Sequence, residues 1–278
     1  MKNSHSVVIR EQLWSPVQNT AVWLGWWAMD AVSTDDCVSA LVAAQGRAHR
    51  VVFYGDATTG SPAPTPASGI GEVLRFVRRV TSAAPVSLED RPLVNLCLAG
   101  PGDVPGLPAG SQAAELVQSS GAGILLADAD PLTTHVLVPR VHPEGFVEWH
   151  QATATGAVVP LAVYGPGEAD RMLRDAMDQA THAITASGYV PRGRSQVDRA
   201  SLAVGALSDA FGLPGLPPGV PRRAEGLMVR ADTVAAIVEV TRSSQVGAGV
   251  DPQVLPLLRA IRHARMTAVD YCMRELLR

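Results

Sequence analysis

Two aspartates near the middle of the chain have the spacing of a cation site. Asp128 and Asp130 stand in the sequence Leu-Ala-Asp-Ala-Asp-Pro, directly after a predicted strand at 124–127. Two carboxylates at positions i and i+2 can share a divalent cation, because hard cations prefer carboxylate oxygens. Asp56 follows another predicted strand and could join them, since open α/β sheets bind ligands at the carboxyl ends of strands. An aspartate before a proline is also ordinary turn chemistry, so a simple turn is the alternative.

A glycine-rich stretch over 55–71 has the composition of a phosphate-binding loop. Gly69-Ile70-Gly71 opens a predicted helix, where backbone N–H groups can face an anion. The stretch contains no lysine and matches neither the Walker loop nor the dinucleotide-binding fingerprint. A plain connecting loop is therefore the alternative, and we expect no cofactor.

The cysteines and histidines show no catalytic or metal-binding pattern. Cys37, Cys97 and Cys272 lie far apart, on predicted helix stripes or in a buried strand, and we expect them in the core. The histidines form no H-x-x-x-H pair, and no Gly-x-Ser-x-Gly sequence occurs. A Ser-His-Asp triad needs no proximity in sequence, but no residue points to one. Apart from the aspartates, the sequence predicts no metal ligand.

Basic residues cluster on the last predicted helix. Arg259, Arg262, His263 and Arg265 cover much of one helical face and could meet the phosphates of a nucleic acid. The formal net charge of the chain is −3, which disfavours nucleic-acid binding. Residues 1–165 carry 9 basic and 14 acidic residues, so the alternatives are that this face is solvated or that its cations pair with the acidic N-terminal part.

Four of the five tryptophans lie within 14 residues of one another. Trp23, Trp26 and Trp27 are spaced as i, i+3 and i+4, which places them on one face of a predicted helix, and Trp14 precedes them. Such side chains either pack in the core or form an interface, where tryptophan is enriched. The interface alternative predicts a homodimer or a protein partner.

The elements that must position these residues indicate an α+β fold. Strands and helices alternate up to about residue 165, and helices alone follow. The pattern predicts a small mixed β-sheet with flanking helices, followed by a C-terminal helical region. We divide the chain into a sheet region, 1–165, and a helical region, 166–278, with one continuous domain as the alternative.

Composition places the chain among globular proteins. It has 278 residues, of which 47% are hydrophobic and 18% charged, enough for a core without disulfides. The three distant cysteines and the lack of a signal-peptide pattern predict a reducing, cytoplasmic location. The apolar run Ala21–Met29 has nine residues, too few to span a bilayer, so no membrane association is expected.

Several short motifs give the chain a family resemblance. They are Ser-Thr-Asp-Asp at 33–36, Pro-Gly-Asp-x-x-Gly-Leu-Pro at 101–108, Gly-Glu-Ala-Asp-Arg-x-Leu-Arg at 167–174 and Arg-Ala-x-x-Val-Ala-Ala-Ile-Val at 230–238. Together with the tryptophan-bearing helix, their order resembles that of an uncharacterised family of high-GC actinobacterial proteins. The resemblance implies no activity and transfers no catalytic residue.

From the residues themselves we expect a cytoplasmic binding or interaction protein that acts without catalysis. The basis is the lack of a catalytic motif, of metal-ligand spacing and of a cofactor fingerprint. The alternative is an enzyme that binds a metal or a phosphorylated small molecule at the strand ends, through Asp56, Asp128 and Asp130.

Overall fold

The computed structural model of the chain describes residues 15–53, 67–142, 144–186, 194–244 and 254–278. Within these ranges the helices are α1 Ser15–Ala28, α2 Thr34–Gln45, α3 Ile70–Thr81, α4 Gln112–Ser120, α5 Pro166–Ala186, α6 Arg194–Phe211, α7 Arg222–Ser244 and α8 Leu255–Glu275. The strands are β1 His49–Phe53, β2 Ala67–Ser68, β3 Val94–Leu98, β4 Ala122–Ala127, β5 Thr133–Val141 and β6 Val147–Thr155. The predicted α+β fold, with a small mixed sheet and C-terminal helices, is confirmed.

The six strands form one sheet in the order β2-β1-β6-β5-β4-β3. β1 runs parallel to β6, and every other neighbouring pair is antiparallel. β5 and β6 form the longest pair, in register from Thr133 opposite Thr155 to Val141 opposite Val147. With these directions, the carboxyl ends of β1, β4 and β6 share one end of the sheet, which we call the Thr155 end.

Successive side chains of a strand point to opposite faces of the sheet, and apolar side chains occur on both faces. Helices therefore cover both faces. The main core joins the face that carries Leu96, Ile124 and Trp149 to residues of α1, α2, α3, α7 and α8. A second core lies on the opposite face, where α4 packs through Leu116 and Val117. Gly123 permits this close approach, since a Cβ there would lie 2.6 Å from Val117 Cγ2.

The sheet region and the helical region share the main core. Its members include Val94 and Leu96 of β3 and Ala268 and Val269 of α8. α8 also packs against β3 and α1. The division at residue 165 therefore stays a prediction, while the packing joins the two regions continuously.

A buried ion pair links α7 to α8 inside the helical region. Arg265 Nη2 lies 2.6 Å from Asp232 Oδ1, and the two side chains are 1% and 7% exposed. The Arg265 guanidinium also lies 5.8 Å from the ring centroid of Phe211, a cation–π distance. Each charge is tolerated in the core because the other compensates for its lost hydration.

Three other basic residues of α8 converge on one carboxylate of the sheet region. Asp103 lies 2.9 Å from Arg259 Nε, 2.7 Å from Arg262 Nη2 and 3.4 Å from His263 Nε2. Arg262 also donates to the Pro101 carbonyl at 2.8 Å. Pairing with the acidic N-terminal part, one of the alternatives for this helical face, therefore describes these three residues.

The thiols are buried, as expected for core residues. Cys37, Cys97 and Cys272 have no exposed surface. Burial raises the pKa of Cys37 and Cys272 to about 12 and that of Cys97 to about 11. The thiols are therefore protonated at neutral pH and are poor nucleophiles. In the described ranges, none of the helices has both the length and the apolar composition that crossing a bilayer requires.

We predict that Arg265→Met alone destabilises the protein by about 3–5 kcal/mol, because it leaves the Asp232 carboxylate buried without its cation. The double variant Arg265→Met/Asp232→Leu should recover most of that loss, since both charges are then removed. Urea unfolding followed by circular dichroism measures both values. Arg278→Met is the control, since it breaks an ion pair whose arginine is 61% exposed and should cost about 1 kcal/mol at most. A double variant no more stable than the single one would contradict the prediction.

Candidate functional site

Side chains of α1 bind the chain segment that joins α6 to α7. We call this segment, residues 212–221, the connector. Asn19, Trp23 and Trp26 lie at positions i, i+4 and i+7 of α1 and therefore on one face of that helix. Their N–H groups donate to connector carbonyls at 3.0–3.2 Å, namely those of Gly212, Leu213, Gly215 and Pro218.

The connector needs such donors because its own sequence cannot form regular structure. It reads Gly-Leu-Pro-Gly-Leu-Pro-Pro-Gly-Val-Pro, and its prolines have no N–H to place in a helix or a ladder. Gly215 and Gly219 have φ of +88° and +86°, the left-handed region that favours glycine. Carbonyls of this segment are instead paired by α1, which fixes the connector's path over the core.

Burial of the tryptophans supports the core alternative for the three that are described. Trp23, Trp26 and Trp27 are 9%, 1% and 6% exposed and belong to the main core. The Trp27 indole donates to Thr34 Oγ1 at the start of α2, at 3.0 Å. These three side chains therefore offer almost no free surface to a partner, and Trp14 lies outside the described residues.

A cavity of about 370 Å³ lies between α1, the connector and α7. We call it the connector cavity. Cavities that bind small molecules have volumes of roughly 300–1,000 Å³, so this one suits a small ligand. Its wall comes from all three elements: Asn19, Gly212, Gly215, Leu216, Pro217, Gly219, Val220, Glu225, Met228, Val229 and Asp232.

The lining of the connector cavity combines apolar walls with negative charge. Glu225 and Asp232, two helical turns apart on α7, carry the only formal charges among its lining residues. Glu225 is exposed, whereas Asp232 is buried and pairs with Arg265, which is not a lining residue. Leu216, Met228 and other lining residues are apolar. This arrangement suits a ligand with a cationic group and an apolar body.

No sequence pattern predicted this cavity. Asn19 and Glu225 belong to opposite parts of the chain, and only the docking of the connector on α1 brings them together. One signal was present in the sequence. Asn19, Trp23 and Trp26 place three side chains with N–H donors on one face of α1. If that face is buried, these donors need acceptors elsewhere in the fold.

Asp128 and Asp130 use their carboxylates within a turn between β4 and β5. Asp128 Oδ1 accepts from the Asp130 N–H at 3.0 Å, and Asp130 Oδ1 accepts from the Leu132 N–H at 3.0 Å. Asp130 Oδ2 also accepts from the Thr133 hydroxyl at 2.8 Å. These backbone and side-chain hydrogen bonds lower the pKa of both carboxyls, the Asp128 carboxyl also through His135. The turn alternative therefore accounts for both aspartates.

The Arg91 side chain donates hydrogen bonds to the carbonyls of this turn. Its Nη2 donates to the carbonyls of Asp128, Asp130 and Thr133 at 3.2, 3.0 and 2.6 Å. Its Nη1 donates to Thr134 Oγ1 at 2.7 Å. The guanidinium brings positive charge to the place where the sequence suggested a metal ion. Among the described residues, no three His, Cys, Asp or Glu side chains are grouped to hold a metal.

The remaining strand-end predictions fall largely outside the described residues. Asp56 and most of the stretch 55–71 are among the residues that the structure does not describe. Of that stretch, Gly69 has φ of +114° and precedes α3 without a side-chain cap. The phosphate-binding interpretation stays a prediction.

Asp128 also takes part in a hydrogen-bonded line that runs from the β4–β5 turn across β5 to β6. Its Oδ2 lies 2.9 Å from His135 Nε2, and His135 Nδ1 lies 2.9 Å from Thr153 Oγ1. His135 and Thr153 are directly opposite each other in the β5–β6 register. Sequence reasoning missed this line, since only the pairing of β5 with β6 brings His135 to Thr153.

Comparisons with known proteins identify relatives that match most of the chain. A model described as "Rv1486c-like protein, N-terminal domain" matches residues 18–163, and one described as "Rv1486c-like protein, C-terminal domain" matches 167–266. The Uncharacterized protein Rv1486c of Mycobacterium tuberculosis strain H37Rv is 27% identical, over 92% of this chain and 96% of its own. The Uncharacterized protein MT1533 of strain CDC 1551 has the same identity and coverage. No solved structure matches the chain. The resemblance to an uncharacterised actinobacterial family is thereby confirmed.

We predict that Trp26→Phe weakens the attachment of the connector to α1 while leaving most of the core intact. The variant keeps an aromatic ring but loses the donor to the Pro218 carbonyl, at a cost of about 1–2 kcal/mol. Hydrogen exchange measured by mass spectrometry should show faster exchange in peptides that cover 212–221. Trp27→Phe is the matched control, since its indole bonds to Thr34 and its loss should leave exchange in the connector unchanged. Equal exchange in both variants would contradict the role of α1.

We predict that Asp128→Asn lowers the melting temperature at pH 7 and that the difference disappears in acid. The pKa of Asp128 is lowered from 3.8 in the folded chain, so its carboxylate stabilises the fold above that pH. The stabilisation is lost as pH falls through the lowered pKa, and asparagine does not titrate. Thermal melts between pH 7 and pH 2 test this, and a constant difference would contradict it.

Proposed function

This chain belongs to the Rv1486c-like protein family, and we propose that it acts by binding a small molecule in the connector cavity. The observation that carries the proposal is a cavity of about 370 Å³ whose connector wall is held by hydrogen bonds from α1. A wall fixed in advance lowers the entropy cost of binding, because less of the site has to become ordered.

The charges of the lining favour a ligand with an amine or another cation at one end. Glu225 and Asp232 give the lining two negative charges, and Arg265 compensates for the one on Asp232. The surplus negative charge therefore lies at Glu225, on the exposed side of the cavity. Val220 and Met228 offer apolar contact to the rest of the ligand.

This proposal refines the sequence-based expectation of a binding protein. The alternative, a metal or phosphorylated ligand at Asp128 and Asp130, is less favoured, because those carboxylates already have hydrogen-bond partners within their turn. The cytoplasmic location and the homodimer or protein partner stay predictions. If a protein partner exists, it must use surface other than Trp23, Trp26 and Trp27.

The test uses n-hexylamine as the probe, with hexan-1-ol and hexanoate as neutral and anionic controls of the same length. Titration of the isotope-labelled protein, followed by ¹H–¹⁵N spectra, should move the signals of connector and α7 residues. We expect hexylamine to bind more tightly than hexanol and hexanoate to bind most weakly. Equal shifts with all three compounds, or shifts away from the cavity, would overturn the proposal.

The charge contribution is tested by Glu225→Gln, which removes the surplus carboxylate and keeps the side chain's shape. Because an exposed ion pair contributes about 1 kcal/mol at most, hexylamine should bind up to about fivefold more weakly. Binding of hexanol should not change. Glu239→Gln is the matched control, since it removes a carboxylate from the same helix outside the cavity lining. An equal loss in both variants would assign the effect to the overall charge of the protein.

A further inference from the structure

When the His135 ring is neutral, the line from Asp128 through His135 to Thr153 has one consistent arrangement of protons. An ionised carboxylate can only accept hydrogen bonds, and the pKa of Asp128 is lowered, so its carboxyl is ionised at neutral pH. His135 Nε2 must therefore carry the proton that bonds to Asp128. Nδ1 of the neutral ring is then an acceptor, and the Thr153 hydroxyl donates to it.

This arrangement is that of a hydroxyl beside a general base that a carboxylate holds in place. Such arrays are recognised by geometry and roles, not by the order of residues in the chain. Both donor–acceptor distances are 2.9 Å, within the range required for proton transfer. A carboxylate on the far nitrogen fixes the ring's tautomer and stabilises the imidazolium that forms when the ring accepts a proton.

The surroundings shield the base but leave the hydroxyl accessible. Thr153 is exposed, whereas the His135 side chain is only 15% exposed. The Phe76 ring contacts the imidazole edge-on, with centroids 5.8 Å apart. Phe76 also contacts Phe53, which is 42% exposed and extends this apolar surface. A substrate with an apolar acyl group could therefore lie on Phe53 while its carbonyl meets Thr153.

We propose that Thr153 is a nucleophile that accepts the acyl group of an ester, with His135 as its general base and Asp128 as a positioning residue. Thr153 Oγ1 forms a bond to the ester carbonyl carbon as its proton passes to His135 Nδ1. The bond from that carbon to the leaving oxygen breaks, and the leaving alcohol takes the proton from His135. Water then attacks the acyl-threonine ester, gives a proton to His135, and the carboxylic acid leaves as Thr153 recovers its proton.

This activity is independent of the connector cavity and goes beyond the proposed binding function. It departs from the sequence-based expectation of a protein without catalysis. Like the enzyme alternative, it uses Asp128 at the end of a strand, but it replaces the metal with a covalent nucleophile. The competing explanation is a structural cross-strand pair, in which His135 and Thr153 only stabilise the β5–β6 hairpin.

The test is acylation of the full chain by p-nitrophenyl acetate and p-nitrophenyl hexanoate. Peptide mass mapping locates the acyl group, and released p-nitrophenolate gives the rate. Thr155 is an internal control, since it is also exposed and lies two residues further along the same face of β6. General-base catalysis is typically worth about 10²–10⁴-fold, so Thr153 should be labelled at least a hundredfold faster than Thr155.

Variants separate the three roles. Thr153→Val should abolish the label, Thr153→Ser should retain it and Thr155→Val should leave it unchanged. His135→Gln should lower the rate about a hundredfold or more, since no base then accepts the proton. Asp128→Asn should lower the rate at least tenfold and change its dependence on pH, because it acts through the imidazole. A purely structural role would change only the melting temperature.

Two outcomes would overturn the proposal. The first is equal labelling of Thr153 and Thr155, and the second is that a protein whose spectra show that it is folded has no label on Thr153 and releases no p-nitrophenolate above the rate in buffer. Both are measured on the unaltered chain, so they do not depend on whether a variant folds. Labelling of Thr153 that persists at full rate in His135→Gln would also contradict the assigned base.

Discussion

Hydrogen bonds from α1 to the carbonyls of the connector are the interaction on which the rest of the structure depends. The connector joins α6 to α7, and its prolines and glycines give it no regular structure of its own. Asn19, Trp23 and Trp26 supply the missing donors and hold the connector on the N-terminal helix. The indoles also fill the main core, so the same side chains pack and bind. The connector cavity follows from this docking, because α1 and the connector provide two of its walls.

Ion pairs then fix how the helices of the C-terminal part sit on one another and on the sheet. Asp103 of the sheet region accepts hydrogen bonds from arginines of α8, and Asp232 of α7 pairs with Arg265 of α8. Asp170 of α5 lies 2.5 Å from Arg230 of α7. Because ion pairing demands specific geometry, such pairs favour one packing arrangement over others of similar apolar area.

The two candidate sites differ in what their geometry allows. The connector cavity is lined by apolar side chains and by the Glu225 carboxylate, which is suited to holding a cation. The Asp128–His135–Thr153 line has a hydroxyl beside a base, but it lies on the Thr155 end of a strand pair and not inside that cavity. Binding and acyl transfer would therefore use separate surfaces of one protein, and each can be disabled without removing a residue of the other.

The sequence alone determined the elements and much of their environment. Periodicity of apolar residues and turn residues indicated that strands and helices alternate up to about residue 165 and that helices alone follow, because these patterns are local. The same reasoning put the cysteines in the core and offered a turn as one alternative for Asp128 and Asp130. Tertiary structure alone decided which distant groups meet. Asn19 reaches Glu225 through the docked connector, and Thr153 reaches His135 through strand register. Contacts of this kind depend on how complete elements pack, and the spacing of residues along the chain does not encode that packing.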